Sequence, residues 1–485
     1  MDRDIGPPRP VPDLVRIGRR RLDAGMPRSE VVEGYRKHVG KGRAALAEYL
    51  GAPVEVAASG ARVLCSDGRS YLDCGGYGVF ILGHCHPTVV YAVAEQLFTN
   101  PLATRVLLES RLAEAATALA SVTPPGLDYV HFVNSGAEAT EVGIKLARAQ
   151  GKRTIVSMQR GYHGKTLGAL SATANPTYQD PFRPLLTAHH VAFGDPEALR
   201  AVLAEHGDCA VIVEPVQGEG GVVIPPPGYL AEVERACREH DAFLIVDEIQ
   251  TGLGRLGRWW GVDREGVRPD VMLVGKGLSG GVVPVAAAVA TERAYSILDR
   301  DPMLQTATFA GSPVAMAAAT AAVTAIGEEG IVERARRLGA RLLAGVEEAV
   351  RSGCPELVVD VRGEGLLIGV ELAEPGLVGE LTLELLARGV IVNHSLNAHA
   401  VLRLTPPAVM EEADVEELLD ALADAARAVG RARGGTPAVH PEGGDQCERS
   451  SSRGSSSTVT RARSSNGSRT SRAIRTSPTP SGPYA

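Results

Sequence analysis

"AFLIVDEIQTGLGRLGR" (242–258) carries an unbroken apolar run into an acidic pair, a glutamine and a glycine-rich turn. An apolar run without polar alternation is what a strand covered on both faces requires. "KRTIVSM" (152–158), "CAVIVEPV" (209–216) and "DVMLVGK" (270–276) read the same way, and "YVHFVN" (129–134) precedes a helix over 137–150. Helical segments such as 227–240 separate these runs. Strand–helix–strand alternation of this kind implies a mostly parallel sheet in a three-layer α/β domain.

The flanks have a different texture. A proline-rich lead is followed by a helix-like segment over 29–50, and "ARVLCSDGRSYLD" (61–73) alternates and turns at Asp67-Gly68, a hairpin signal. After Ser312 come alanine-rich helices over 313–325 and 331–350. Strand-like "LVVDVRGEGLLIGVEL" (357–372), a helix near 380–388, a short strand at 389–393, "AVLRLTP" (400–406) and an amphipathic helix over 414–429 complete an α+β lobe. The expected organisation is an N-terminal segment (1–73), a large α/β domain (74–325), a smaller α+β domain (326–433) and a Ser/Arg-rich extension (434–485) whose composition predicts disorder.

Composition narrows the function classes. The chain has 485 residues and a net charge of −7, a mildly acidic balance that argues against a nucleic-acid or membrane-surface role for the body of the chain. No apolar run approaches the ~20 residues of a membrane helix, and the start has no secretory pattern. Seven scattered cysteines, none in a C-x-x-C pair, suit a reducing cytoplasmic compartment. Arg19-Arg20-Arg21 reads as a solvated helix face rather than a targeting signal. His84-Cys85-His86 puts three ligand types side by side, but adjacent residues do not converge on one ion, so no metal site is expected.

Four features fall at the expected C-terminal ends of strands, the edge where open α/β sheets bind ligands. Asn134-Ser135-Gly136-Ala137 sits between a strand and a helix, where small residues and free N–H groups suit a phosphate; the same pattern also serves as an ordinary cap. Asp247 ends one strand, with Gln250 three residues on. Lys276 closes the next strand, where an amine is either a snorkelling side chain or a desolvated nucleophile. Tyr162-His163-Gly164 offers an aromatic face. A lysine and an aspartate on successive strand ends match the needs of pyridoxal phosphate: an imine-forming amine and an acid for the pyridine nitrogen.

Together with "CGGYGVFILGHCHP" (74–87), "NSGAEA" (134–139), "YHGKTLGALSATA" (162–174), "EPVQGEGGVVIPPPGYL" (214–230), "GKGLSGG" (275–281), "TATFAGSP" (306–313) and "LRLTPP" (402–407), these residues give the pattern a name. From about 29 to 430 the chain resembles the class III, fold type I, ornithine-aminotransferase-like pyridoxal-phosphate aminotransferases, and within them most nearly the putrescine aminotransferases. The resemblance implies a Schiff base on Lys276, which also carries the proton, and a pyridine nitrogen held by Asp247. It implies Gln250 on the ring oxygen, Tyr162 on the ring face, and Ser135, Gly136 and Ala137 at the phosphate. Thr308 would reach the phosphate of a neighbouring subunit, so the unit implied is a homodimer or a pair of dimers. Arg403 would clamp the α-carboxylate of a 2-oxo acid, 2-oxoglutarate first among them. Glu219 would neutralise Arg403 when the substrate lacks that carboxylate, and Tyr77 would line the substrate pocket.

The amine donor implied is putrescine or a related diamine. Acetylornithine-, ornithine- or 4-aminobutyrate-type donors and a specialised-metabolite aldehyde stand as alternatives. Lys165 stands where acetylornithine enzymes usually carry arginine. A mutase or racemase on the same fold fits the Glu219 and Arg403 pattern less well. A non-catalytic scaffold would be expected to lack Lys276 or Asp247. Neither glycine cluster, near 218–221 or 277–281, has dinucleotide spacing.

Overall fold

The computed structural model describes residues 26–434; the proline-rich lead with Arg19-Arg20-Arg21 and the Ser/Arg-rich extension lie outside the described residues. The segment expected as one helix over 29–50 is two, Arg28–Gly34 and Lys41–Tyr49. A wider π turn, Tyr35–Val39, joins them, and the break falls at Gly40, a residue that costs a helix about 1 kcal/mol. Strands β1 (Glu55–Ser59), β2 (Arg62–Cys65) and β3 (Ser70–Asp73) follow. The expected hairpin is β2–β3, with Gly68 at φ +80° in its turn.

The centre is a seven-stranded sheet of β4 (Tyr129–Val133), β5 (Thr154–Met158), β6 (Ala188–Val191), β7 (Cys209–Val213), β8 (Phe243–Asp247), β9 (Val271–Val274) and β10 (Ala286–Ala290). Their order is β4-β10-β9-β8-β7-β5-β6. Strand β10 runs antiparallel to both neighbours and the other six share one direction, so six C-terminal ends gather on one edge. Strands β5, β7, β8, β9 and β10 are buried along their whole length, which explains their unbroken apolar sequences. Helix Gly136–Ala149 packs closely on this sheet: a Cβ on Gly143 would stand 3.3 Å from Leu273 and 3.4 Å from Ile245.

Strands β6 and β10 go beyond the sequence reading. "AHHV" and "AAAVA" each hold only one valine among the β-branched and aromatic residues that mark strands. The second is a strand through its pairing on both sides, with β4 and with β9.

Helices Pro313–Glu328 and Ile331–Gly353 lead into the hairpin β11 (Val358–Glu364) and β12 (Leu367–Leu372). Helix Pro375–Ala387, β13 (Val390–Ile391), β14 (Asn393–Ser395), β15 (Ala398–Leu404) and helix Glu412–Gly434 complete the chain. An antiparallel sheet has the order β11-β12-β15-β14, while β13 joins β3 in parallel, so N- and C-terminal segments share a sheet. Buried Arg255, in the glycine-rich turn after β8, donates to the carbonyls of Leu366 (3.2 Å), Pro406 (2.6 Å) and Gly78 (3.4 Å). It thereby fixes the central sheet against the C-terminal one. Among the described residues no single helix is long and apolar enough to cross a membrane.

Candidate active site

A cleft of about 340 Å³ opens at the edge where the parallel strands end. Lys276, Asp247, Gln250, Tyr162, Glu219, Tyr77, Gly136 and Ala137 all line it. Asp247 is the last residue of β8 and pairs in register with Leu273 of β9; Lys276 lies three residues beyond Leu273. Parallel register alone therefore brings this acid and this amine to neighbouring strand ends.

Asp247 is held from behind. Its Oδ2 stands 2.7 Å from Nδ1 of buried His163, and its Oδ1 accepts the Ile249 N–H at 3.1 Å. Burial by itself lowers the pKa of His163, but the Asp247 carboxylate against it outweighs this and holds the imidazole above its ordinary value. Glu214, just past β7, accepts the Tyr162 N–H at 3.1 Å, and burial pushes its carboxyl up to about 7. Neither His163 nor Glu214 was assigned a role from sequence. The signal was available for Glu214, an acid ending an apolar run as Asp247 does.

Lys276 sits at φ +42°, a left-handed conformation costing about 1–3 kcal/mol outside glycine. Such strain persists only where the surroundings impose the conformation. Burial pulls its ammonium below the ordinary lysine value, against the opposing pull of Glu219 and Asp247. That is the state an amine needs to act as a nucleophile or a base.

The rest of the cleft is shaped for a ligand with a polar ring and an anionic end. Both amide atoms of Gln250, Nε2 and Oε1, are buried with no hydrogen-bond partner, as is Nε2 of His163. A buried polar group without a partner costs roughly 1–3 kcal/mol, so such atoms mark a place where a ligand completes the bonding. Helix Gly136–Ala149 begins in the cleft with free N–H groups. A Cβ on Gly136 would stand 2.9 Å from Ile249, and one on Gly164 would stand 2.6 Å from the Ala137 side chain, so the backbone is tight around this terminus. Ser135 is the cap of that helix, its Oγ accepting the Glu138 N–H at 3.3 Å, and does not line the cleft. Tyr162 is half-buried at the cleft wall, and Tyr77 is 60% exposed at φ +50°. Thr308 is exposed and contributes nothing to the cleft of its own chain.

Glu219 and Arg403 meet. Arg403, on β15, is wholly buried, with Nη1 2.5 Å from Glu219 Oε1. The contact has the distance of an ion pair but not the angles of a hydrogen bond, and all three guanidinium nitrogens are without a hydrogen-bond partner. Glu219 Oε2 accepts the backbone N–H of Leu396 at 3.0 Å. His84 and His86, on either side of Cys85, face different carboxylates, Asp73 at 2.9 Å and Glu329 at 3.2 Å.

Residues 51–426 match the model of the family described as aminotransferase class-III. An ornithine aminotransferase from Toxoplasma gondii, with pyridoxal phosphate at partial occupancy, is 30% identical; the match covers 87% of this chain and 99% of that one, with a TM-score of 0.77. A thermostable (S)-enantioselective omega-transaminase from Thermomicrobium roseum is 28% identical over 84% of this chain and 99% of that one, with a TM-score of 0.77. An omega-transaminase from Pseudomonas jessenii is 27% identical over 81% and 96%, with a TM-score of 0.73.

Proposed function

The chain belongs to the class-III aminotransferases, a pyridoxal-phosphate family, and we propose that it moves the amino group of a primary ω-amine, putrescine or a related diamine, to 2-oxoglutarate. The observation that carries this reading is Arg403, a buried guanidinium with a carboxylate beside it and no hydrogen bond made. A guanidinium in that state suits a bidentate carboxylate. With Glu219 against it the pocket is close to neutral and accepts a carbon chain bearing only an amine at its near end. With Glu219 turned away it accepts a dicarboxylate.

Bound pyridoxal phosphate supplies an electron sink for the pair left when a proton departs the amine-bearing carbon. Asp247, backed by His163, would hold its ring nitrogen, Gln250 its ring oxygen and Tyr162 its face. The N–H groups of Gly136 and Ala137, with Ser135 behind them, would hold the phosphate. Lys276 Nζ, lowered in basicity, would take the proton from the amine-bearing carbon of the substrate and hold it for return on the far side of the nitrogen.

A homodimer is part of the proposal. Val106, Leu107 and Leu108 are fully or largely exposed, as are Leu102 and Phe309. The segment that carries them lies against Ala310 and Val314, through the Arg105 side chain and the Pro101 carbonyl. A contiguous exposed apolar surface is suited to a second copy, and Thr308 stands at its edge. The structural likeness to an ornithine aminotransferase supports a second reading, a donor with a terminal amine on an amino acid.

The test is a half-reaction. Holoenzyme and putrescine are mixed without oxo acid, and the near-visible absorbance of the cofactor is followed. Its loss, absent in Lys276→Ala, supports the diamine. No change with putrescine but change with glutamate removes the donor and keeps the reaction. Arg403→Ala is expected to raise KM for 2-oxoglutarate by about 10–100-fold, the worth of a charge-assisted hydrogen-bond pair.

A further inference from the structure

The Glu219–Arg403 pair is not free to move by itself. Glu219 is gripped by the tight turn between β14 and β15. Buried Ser395 donates through Oγ to the Gly218 carbonyl at 3.1 Å. The Leu396 N–H donates to Glu219 Oε2 at 3.0 Å, and the Asn397 N–H donates to the Glu219 carbonyl at 2.9 Å. Three successive residues thus hold two successive residues at the cleft wall.

Asn397 fixes the turn in its turn. Its Nδ2 donates to the carbonyls of Arg160 (2.9 Å) and Gly161 (3.1 Å), in the loop after β5. Its Oδ1 accepts from Asn175 Nδ2 at 2.9 Å. One amide side chain therefore has both ends satisfied by segments of the central sheet while its backbone holds Glu219. The anchorage has little slack at the other side: a Cβ on Gly218 would fall 1.4 Å from Gln250 Oε1.

Resting on the function proposed above, we propose that the turn Ser395–Asn397 is a latch that sets how readily Glu219 releases Arg403, and that Asn397 is the positioning residue that holds it closed. The physical reason is competition for one carboxylate. Glu219 divides its two oxygens between Arg403 and the Leu396 N–H. Turning Glu219 away breaks both contacts, and the Leu396 N–H, at the cleft wall, becomes a free donor beside the free guanidinium. A dicarboxylic oxo acid can accept from both; an amine without a distal anion accepts from neither. The latch thus selects between substrate classes without touching the reacting atoms.

The experiment measures two quantities on holoenzyme for wild type, Asn397→Ala and Asn175→Ala. One is the Kd of glutarate, a non-reacting dicarboxylate, by titration calorimetry; the other is kcat/KM of the amine half-reaction. Asn397→Ala removes neutral hydrogen bonds that hold the closed state, worth about one net hydrogen bond, and is expected to bind glutarate about tenfold tighter and to lose amine kcat/KM by about the same factor. Asn175→Ala removes one of the three bonds to the Asn397 side chain and is expected to shift both quantities about threefold in the same directions. A merely structural asparagine would weaken both by one factor, and that outcome, or no change in either variant, overturns the latch. Asn175→Ala keeps the test open if Asn397→Ala does not fold. Arg403→Ala separates the two readings: if it leaves glutarate binding unchanged, the assignment of Arg403 falls, and the latch with it.

Discussion

Two buried charged centres, one lining the cleft and one behind Glu219 at its wall, are in opposite states of completion. At the end of β8, Asp247 has both oxygens engaged, one by His163 and one by a backbone N–H. On β15, Arg403 is equally buried but makes no hydrogen bond at all. The first is fixed equipment, satisfied before anything binds. The second leaves its three donor nitrogens without a hydrogen-bond partner. A site that must take two unlike substrates in turn needs both: a rigid part for what they share and an unsatisfied part for what differs.

The sharpest break of this comparison is at Lys276, on the fixed side. Lys276→Ala is expected to lower both half-reactions by at least about 10³-fold in single-turnover absorbance, as for removal of a general base. Activity within tenfold of wild type would remove Lys276 from the proton transfer. Stability separates the two centres next. Asp247→Ala removes the carboxylate that keeps His163 protonated, leaves a neutral buried imidazole without its partner, and is expected to cost about 1–3 kcal/mol in chemical denaturation. Removing both charges on the other side, Arg403→Met with Glu219→Gln, is expected to leave stability unchanged or to raise it by about 1–4 kcal/mol. Equal losses in the two experiments would erase the distinction.

A third carboxyl gives a pH signature. Glu248 accepts the Val262 N–H at 2.8 Å, and burial pushes it up to about 7. Its folded form therefore holds a proton that the unfolded chain releases near its ordinary value of 4.5. The sign follows: its contribution is neutral at low pH and turns destabilising as pH rises from about 4.5 to 7. Glu248→Gln is expected to flatten the fall in stability between pH 5 and 8 by about 3 kcal/mol at most. An unchanged slope from denaturation at the two pH values would count against it. The smallest expected effect is at the helix cap, where Ser135→Ala should cost about 1 kcal/mol and lower Tm by a few degrees. A larger loss on cofactor titration than on melting would return Ser135 to the phosphate.

Legibility in the sequence followed burial on both faces. Strands β5, β7, β8 and β9 were readable as apolar runs because helices cover them from either side. Strand β10 was not: "AAAVA" reads as helix, and only its place between β4 and β9 makes it a strand. The break at Gly40 was missed because the helix signal continues on both sides of it. Among site residues, Asp247, Lys276 and Gln250 stood at strand ends and announced themselves. His163 was quoted within a motif without a role, because a buried histidine takes its meaning from the partner it meets, here 84 residues away.

The sequence by itself determined the type of sheet, the edge at which chemistry sits and the residue types there, because these follow from local hydrophobic period and from which groups interrupt it. Only tertiary structure decided that His163 backs Asp247 and that Asn397 grips the Glu219 segment. Those pairings span tens to hundreds of residues, and no local pattern encodes them: they come from the register of strands and the packing of one sheet's loops against another's.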